Sequence, residues 1–182
     1  MLKNIEFKQY YILVALTIAV VGTIVWFYFT PNKKLDIAAS QLVESVHQIR
    51  KSFAHKVNYW GLNTKFVVDN NILTNLSYSD GKIINALGKN VEIGQNENGD
   101  AVLPGERSFG IAYTNLTMGE CIALSAYRFK QPEELGLLSI TIINSDDRQV
   151  FDWGEGDFHL PISRQDAKKF CKNNSAVLWT ME

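Results

Sequence analysis

The residues able to do chemistry are few and scattered. The histidines are His47, His55 and His159. His47 and His55 stand eight positions apart, without HExxH spacing and without a third ligand in register, so they read as solvated side chains rather than a zinc site. The chain has no GxSxG elbow, no phosphate-binding glycine loop and no CxxC pair. One acidic cluster, Asp152-Trp153-Gly154-Glu155-Gly156-Asp157, follows Asp146-Asp147. Carboxylates alternating with glycines can wrap calcium through oxygen ligands, but the twelve-residue calcium-loop pattern is missing, which favours a solvated loop. Asn75, Asn115 and Asn173 open Asn-x-Ser/Thr triplets, which matter only in a glycosylating secretory pathway. No catalytic constellation, metal set or cofactor motif emerges, and the reading is of a protein that is not an enzyme. A net charge of −1 gives no basic field for nucleic acid.

That leaves the two cysteines, Cys121 and Cys171. In a domain held outside the cytoplasm an isolated even pair reads as a disulfide; in the cytosol it would read as two buried thiols. Both fall in or beside helical patterns late in the chain. Thr117 to Tyr127 carries Met118, Cys121, Ile122 and Leu124 on one face, and Thr117 with Glu120 has capping-box spacing. Ser163 to Lys172 repeats that relation with Ser163 and Asp166, then Phe170 and Cys171. Between and around these helices lie short alternating or β-branched runs: Lys65 to Val68, Asn90 to Ile93, Ser108 to Tyr113, Leu137 to Asn144 and Ala176 to Trp179 are expected strands. Turns are expected at Ser79-Asp80-Gly81, Asn96 to Asp100 and Ser145-Asp146-Asp147.

Further upstream, Leu35, Ala38, Ala39, Leu42, Val46, Ile49 and Phe53 recur at spacings of three and four, drawing one apolar stripe along a helix from residue 35 to about 57. Gln41, Glu44, Ser45, Gln48, Arg50, Lys51 and His55 lie away from the stripe. The stripe is expected to face the domain's own sheet, at least toward its C-terminal end. Pro31 lacks the backbone donor and clashes with the preceding turn, so a kink or melted stretch is expected there.

Ahead of Pro31, Tyr11 to Thr30 is an uncharged run of twenty residues. At about 1.5 Å per residue it covers roughly 30 Å, the thickness of a bilayer's hydrocarbon core. Tyr10 and Tyr11 at one end and Trp26, Phe27 and Tyr28 at the other suit the two headgroup levels. A signal peptide is the rival reading, but the run exceeds a signal core and ends in bulky rings rather than small residues. Lys3 and Lys8 are balanced by Lys33 and Lys34; the short N-terminal tail is expected inside, with residues 31–182 outside. The chain thus divides into a tail at 1–10, a transmembrane helix at 11–30, an amphipathic spine at 31–58 and a β-rich domain at 59–182. With 46% apolar and 20% charged residues, the chain as a whole has an ordinary globular composition, and the part after the anchor is long enough to bury a core of its own as one domain.

A membrane helix continuing as an amphipathic helix, then a β-rich domain stapled late, resembles the type IV pilins, and local motifs narrow this to type IVb pilins of the conjugative thin-pilus kind. Tyr59-Trp60-Gly61-Leu62 resembles the end of the family's spine helix. Asn85-Ala86-Leu87-Gly88 before Val91-Glu92-Ile93 is similar to its Asn-Pro-x-Gly-Gly turn and strand, without the proline and with Lys89 for the second glycine. Phe109 to Thr117 followed by Cys121 and Leu124 resembles the strand entering the first cysteine helix, and Cys171 to Thr180 the terminal cysteine, turn and strand. The resemblance implies an α+β fold, a long N-terminal helix on an antiparallel sheet. It further implies Leu35, Ala38 and Ala39 exposed in the monomer and buried between subunits, and pilin subunits or assembly machinery as partners. The implied location is the inner membrane, single-pass, N-terminus cytoplasmic, with the domain periplasmic or displayed in a pilus. The family's leader ends in glycine, and the fifth mature residue is usually a glutamate; here Gln9 and Tyr10 flank the aligned cleavage point and Val14 takes the glutamate's place. These departures point to a minor or accessory subunit of a pilus or related conjugative or secretion apparatus. The alternative is a single-span protein whose pilin-shaped domain binds a ligand or partner and never enters a filament.

Overall fold

The computed structural model describes Thr17 and residues 33–94, 100–154 and 156–182. Gln9, Tyr10, Val14, Pro31 and, Thr17 apart, the apolar run at 11–30 lie outside the described residues. Among the described residues no helix is long and apolar enough to cross a membrane.

Residues 33–53 are helical, as the three-and-four spacing of apolar positions requires, and form helix α1. Next come α2 (Thr64–Asp69), β1 (Ser77–Ser79), β2 (Lys82–Ile84), β3 (Asn90–Gly94), β4 (Phe109–Leu116), α3 (Met118–Ser125), β5 (Leu137–Ile143), β6 (Arg148–Asp152), α4 (Arg164–Phe170) and β7 (Ser175–Met181). The strands form one antiparallel sheet in the order β1-β2-β3-β4-β7-β5-β6, with β7, last in the chain, inserted between β4 and β5.

Register explains the core. Pairing Val91 with Tyr113, Ile93 with Ile111, Ile111 with Trp179 and Ile140 with Trp179 and Phe151 places these apolar residues on one face. That face meets α1, where the Tyr113 hydroxyl donates to Ala38 O at 2.9 Å, and the loop after it, where the Tyr59 ring packs 4.5 Å from Phe109. The opposite face carries small and polar residues, among them Ser139, Thr141 and Thr180, with Leu178 lying over Gly110. A Cβ on Gly110 would sit 2.7 Å from the tip of the Leu178 side chain and 3.1 Å from Gly94 O, so a larger residue there would have to push Leu178 aside and crowd the β3 backbone.

Lys65 to Val68 is helical, not the strand its β-branched residues suggest. Local capping decides this: Asn63 Oδ1 accepts the Phe66 N–H at 2.7 Å, starting a turn that buries Val67, and Lys65 pairs with Asp69 one turn on. The strands β1, β2 and β6 were not expected. β1 and β2 form a hairpin through Asp80 and Gly81, both at positive φ, the geometry of a tight primed turn.

Candidate functional site

The stripe on α1 lies inside the domain. Ala38, Val46 and Ile49 are 0% exposed, Leu42 1%, Ala39 2% and Phe53 4%, while Leu35 is half-buried. Ala38 and Ala39 are therefore covered within the monomer, contrary to the exposure the resemblance implied. Tyr113, whose hydroxyl donates to Ala38 O, reaches the helix at that level and helps to cover it.

The flanks of α1 are clasped by polar groups. On one flank Gln41 Nε2 donates to Asn75 O at 2.8 Å, Gln41 Oε1 accepts the Ala86 N–H at 2.8 Å, and Asn75 Nδ2 donates to Gln41 O at 2.9 Å. Two turns on, Gln48 repeats the exchange with Thr74, accepting its N–H at 2.9 Å and donating to its hydroxyl at 3.0 Å. On the other flank Arg50 donates to Glu134 O at 3.0 Å, to Leu135 O at 2.6 Å and, through Nε at 3.1 Å and again through Nη2, to Glu182 O. Gly136 makes room for this clasp: it has φ +57°, and a Cβ there would stand 2.5 Å from Arg50 Nη2. The amphipathic pattern placed Gln41, Gln48 and Arg50 on the polar side, and that they grip loops rather than water was not visible in it. The recurrence of Gln at positions seven apart, on one face, is the signal that could have been used.

Cys121 and Cys171 are bonded, with Cα atoms 5.8 Å apart, joining the start of α3 to the end of α4. Both expected caps are present. Thr117 Oγ1 accepts the Glu120 N–H at 3.3 Å and Glu120 accepts the Thr117 N–H at 2.8 Å; Ser163 Oγ accepts the Asp166 N–H at 3.1 Å. Burial works to raise the Glu120 pKa, but hydrogen bonds from Thr117 and the Lys89 ammonium at 3.3 Å outweigh it and hold the carboxyl below its usual value. Asn173 Oδ1 accepts the Met118 N–H, tying the two cysteine segments again. Burial pushes the Tyr113 phenol far up, so it serves only as a neutral donor to α1.

The remaining polar candidates are not brought together. His47, His55 and His159 are exposed on different elements. In the acidic turn, Asp152 Oδ1 is occupied by the Gly154 N–H at 2.8 Å. Among the described residues no group of three or more His, Cys, Asp or Glu side chains converges to hold a metal ion. What the arrangement offers is packing surface: a stapled sheet presenting one helix, with a cavity of about 430 Å³ between α1 and the Tyr127–Leu135 segment.

A spine helix clasped to an antiparallel sheet, with a late disulfide, is the architecture of type IV pilins. The Bundlin family model matches residues 29–178, and the chain belongs to this type IVb pilin family. Among solved structures, TcpA, a type IV pilin from the Vibrio cholerae El Tor biotype, is similar at 15% identity and a TM-score of 0.50, over 82% of this chain and 99% of that one. The type IVb pilin from Salmonella typhi is similar at 11% identity and a TM-score of 0.49, over 78% of this chain and 95% of that one. At such identities the likeness to TcpA speaks for the fold alone. No curated protein matches the chain in sequence.

Proposed function

We propose that this pilin works as a minor or accessory component of a type IVb pilus or a related conjugative or secretion apparatus, anchored in the inner membrane through residues 11–30 with its domain outside. The observation that carries this reading is the combination of a pilin fold with Gln9 where the family's leader has glycine and Val14 where it has glutamate. A larger side chain obstructs a peptidase pocket shaped for glycine. A neutral Val14 supplies no charge to pair with a neighbour's amine, the interaction for which a carboxylate is tolerated inside a bilayer. Residues 33–53 supply the spine, and partners are other pilin subunits or assembly proteins.

Intact mass of the chain extracted from membranes tests this: residues 1–9 retained, together with cross-links from the 35–60 region to another pilin, is the expected result. A mass beginning at Tyr10, or the chain as the main component of sheared filaments, would restore an ordinary major-subunit role. One observation favours a second reading, a pilin-shaped membrane protein that stays out of filaments: Ala38 and Ala39 are already buried in the domain and leave no small-residue surface for a neighbour. Retention of residues 1–9 without any pilin cross-link would select it.

A further inference from the structure

Between the segment after α3, the start of β5 and the turn after β6 lies a cavity of about 280 Å³, close to the lower end of the roughly 300–1,000 Å³ usual for small-molecule sites. Three aromatic side chains line it. The Tyr127 and Phe129 rings stand with centroids 5.2 Å apart and planes at 60°, and Trp153 comes from the turn. Trp153 is 51% exposed yet held, its Nε1–H donating to Leu137 O at 2.6 Å, so the indole is presented rather than free to swing. Leu160 adds aliphatic surface. Arg128 and Glu133 line the same cavity, both are exposed, and neither forms an ion pair among the described residues. Asp152 and Asp157, exposed on the turn that carries Trp153, add negative charge on that side.

Each feature selects against a class of occupant. A wholly apolar ligand would leave Arg128 and Glu133 nothing to pair with. A primary ammonium would bring three N–H donors into a wall where two polar groups are already engaged, Leu137 O by the indole and Ser125 Oγ by Cys121 O at 2.8 Å. A quaternary ammonium carries its charge without N–H groups, and aromatic faces attract it through their quadrupoles. Glu133 suits that charge, while the Arg128 guanidinium calls for an anion beside it, and a phosphate matches its fork. Because Arg128 and Glu133 do not reach each other, the two charges of the ligand must be spaced apart, as they are across the ethylene link of phosphocholine. We propose that this hollow binds a phosphocholine group, its trimethylammonium among Tyr127, Phe129 and Trp153 near Glu133 and its phosphate on Arg128. The site belongs to the domain whether or not the chain enters a filament, and so goes beyond the assembly reading.

The test is calorimetric titration of phosphocholine into the full chain held in maltoside micelles, which contain no choline. Phosphocholine should bind at least tenfold more tightly than neohexyl phosphate, the isostere with carbon in place of the charged nitrogen, and at least tenfold more tightly than choline, which lacks the phosphate. Trp153→Ala should weaken phosphocholine at least tenfold with the thermal unfolding midpoint unchanged. Two exposed positions give variants that leave the core alone: Glu133→Gln should weaken phosphocholine severalfold and leave neohexyl phosphate unmoved, and Arg128→Gln should leave phosphocholine no better than choline. No heat from phosphocholine at millimolar concentration, equal binding of neohexyl phosphate, or affinity indifferent to both Glu133→Gln and Arg128→Gln would each overturn the proposal. Glycerophosphocholine bound as tightly as phosphocholine makes a lipid headgroup the source; glycerophosphocholine refused makes it the free monoester, and either result supports the site. None of these outcomes depends on whether residues 1–9 are retained, so the site and the accessory-subunit reading fail separately.

Discussion

Arg50→Met should loosen the whole C-terminal half from the spine. The substitution keeps an unbranched apolar stem and removes every donor that now serves Glu134 O, Leu135 O and Glu182 O. A hydrogen bond from a charged donor contributes about 1.5–3 kcal/mol when its acceptor is otherwise stranded. Only the Leu135 bond is partly buried, and water can reach the other two carbonyls. A total of about 2–3 kcal/mol is therefore expected rather than the sum of all the bonds. With a urea slope of roughly 2 kcal/mol/M, the unfolding midpoint of the full chain in detergent should fall by about 1 M. Fluorescence of the buried Trp179 reports it, and proteolysis between residues 126 and 136 should speed up in parallel. Arg50→Lys should recover less than half, because an ammonium is one point and cannot span carbonyls on two separate segments. If Arg50→Met stays within about 0.5 kcal/mol of the parent, the spread typical of ordinary surface changes, with unchanged proteolysis, water serves those carbonyls equally well and the reasoning fails.

Three further outcomes are expected. Ile49→Asp or Phe53→Asp puts a carboxylate into a core where burying the native side chain stabilises by about 1.5–3 kcal/mol; circular dichroism should show an unfolded domain, and parent-like stability of both would mean the stripe is not core. Cys121→Ser or Cys171→Ser opens a link of sequence separation 50, worth about 4 kcal/mol in the chain-entropy model, and should expose β7 to protease; free thiols in the parent by mass mapping would contradict the bridge itself. Glu120 has a folded pKa below its unfolded one, so its contribution is present above the unfolded value and is lost as pH falls through the folded value. Glu120→Gln should therefore lower stability near neutrality, with the difference from the parent shrinking as pH falls and the acid limb flattened accordingly; parent-like stability at neutral pH with an unchanged acid limb would assign that limb to other carboxylates.

The elements that could be read from the sequence are those whose cause is local. The stripe from Leu35 to Phe53 declares a helix because one face must be covered, and the Thr117 and Ser163 caps declare two more because each answers an orphan backbone donor. Strand β4 was legible from its apolar run, buried along most of its length. Lys65 to Val68 misled because β-branched residues state a preference of side chains, while Asn63, capping the helix that starts at Thr64, commits the backbone. The short strands β1, β2 and β6 exist through their partners, Ile83 pairing with Val91 and Phe151 with Ile140, and three to five residues carry too little pattern to announce that. The clasps were hidden for a related reason: a Gln on a polar face looks the same whether water or Thr74 N–H meets it.

The clasps also bear on how much of α1 an assembly can use. Gln41 and Gln48 hold the helix to the Thr74–Asn75 and Ala86 backbone on one side, and Arg50 holds it to Glu134, Leu135 and Glu182 on the other. Between them a ridge of Ser40, Glu44, His47 and Lys51 faces outward, all four polar, and the exposed Ile37 stands one turn ahead of it. Burying such a ridge against another subunit would strand a hydroxyl and ionised groups with little apolar area to offset the loss of hydration. Contacts made by the described domain are therefore expected from its ends and corners, where Val57, Trp60, Leu103 and Trp153 are exposed, rather than from the middle of the spine. A cysteine scan along residues 40, 44, 47 and 51 checks this. These positions should stay reactive to a membrane-impermeant maleimide in assembled material while position 57 is protected, and the reverse pattern would place the neighbour on the helix.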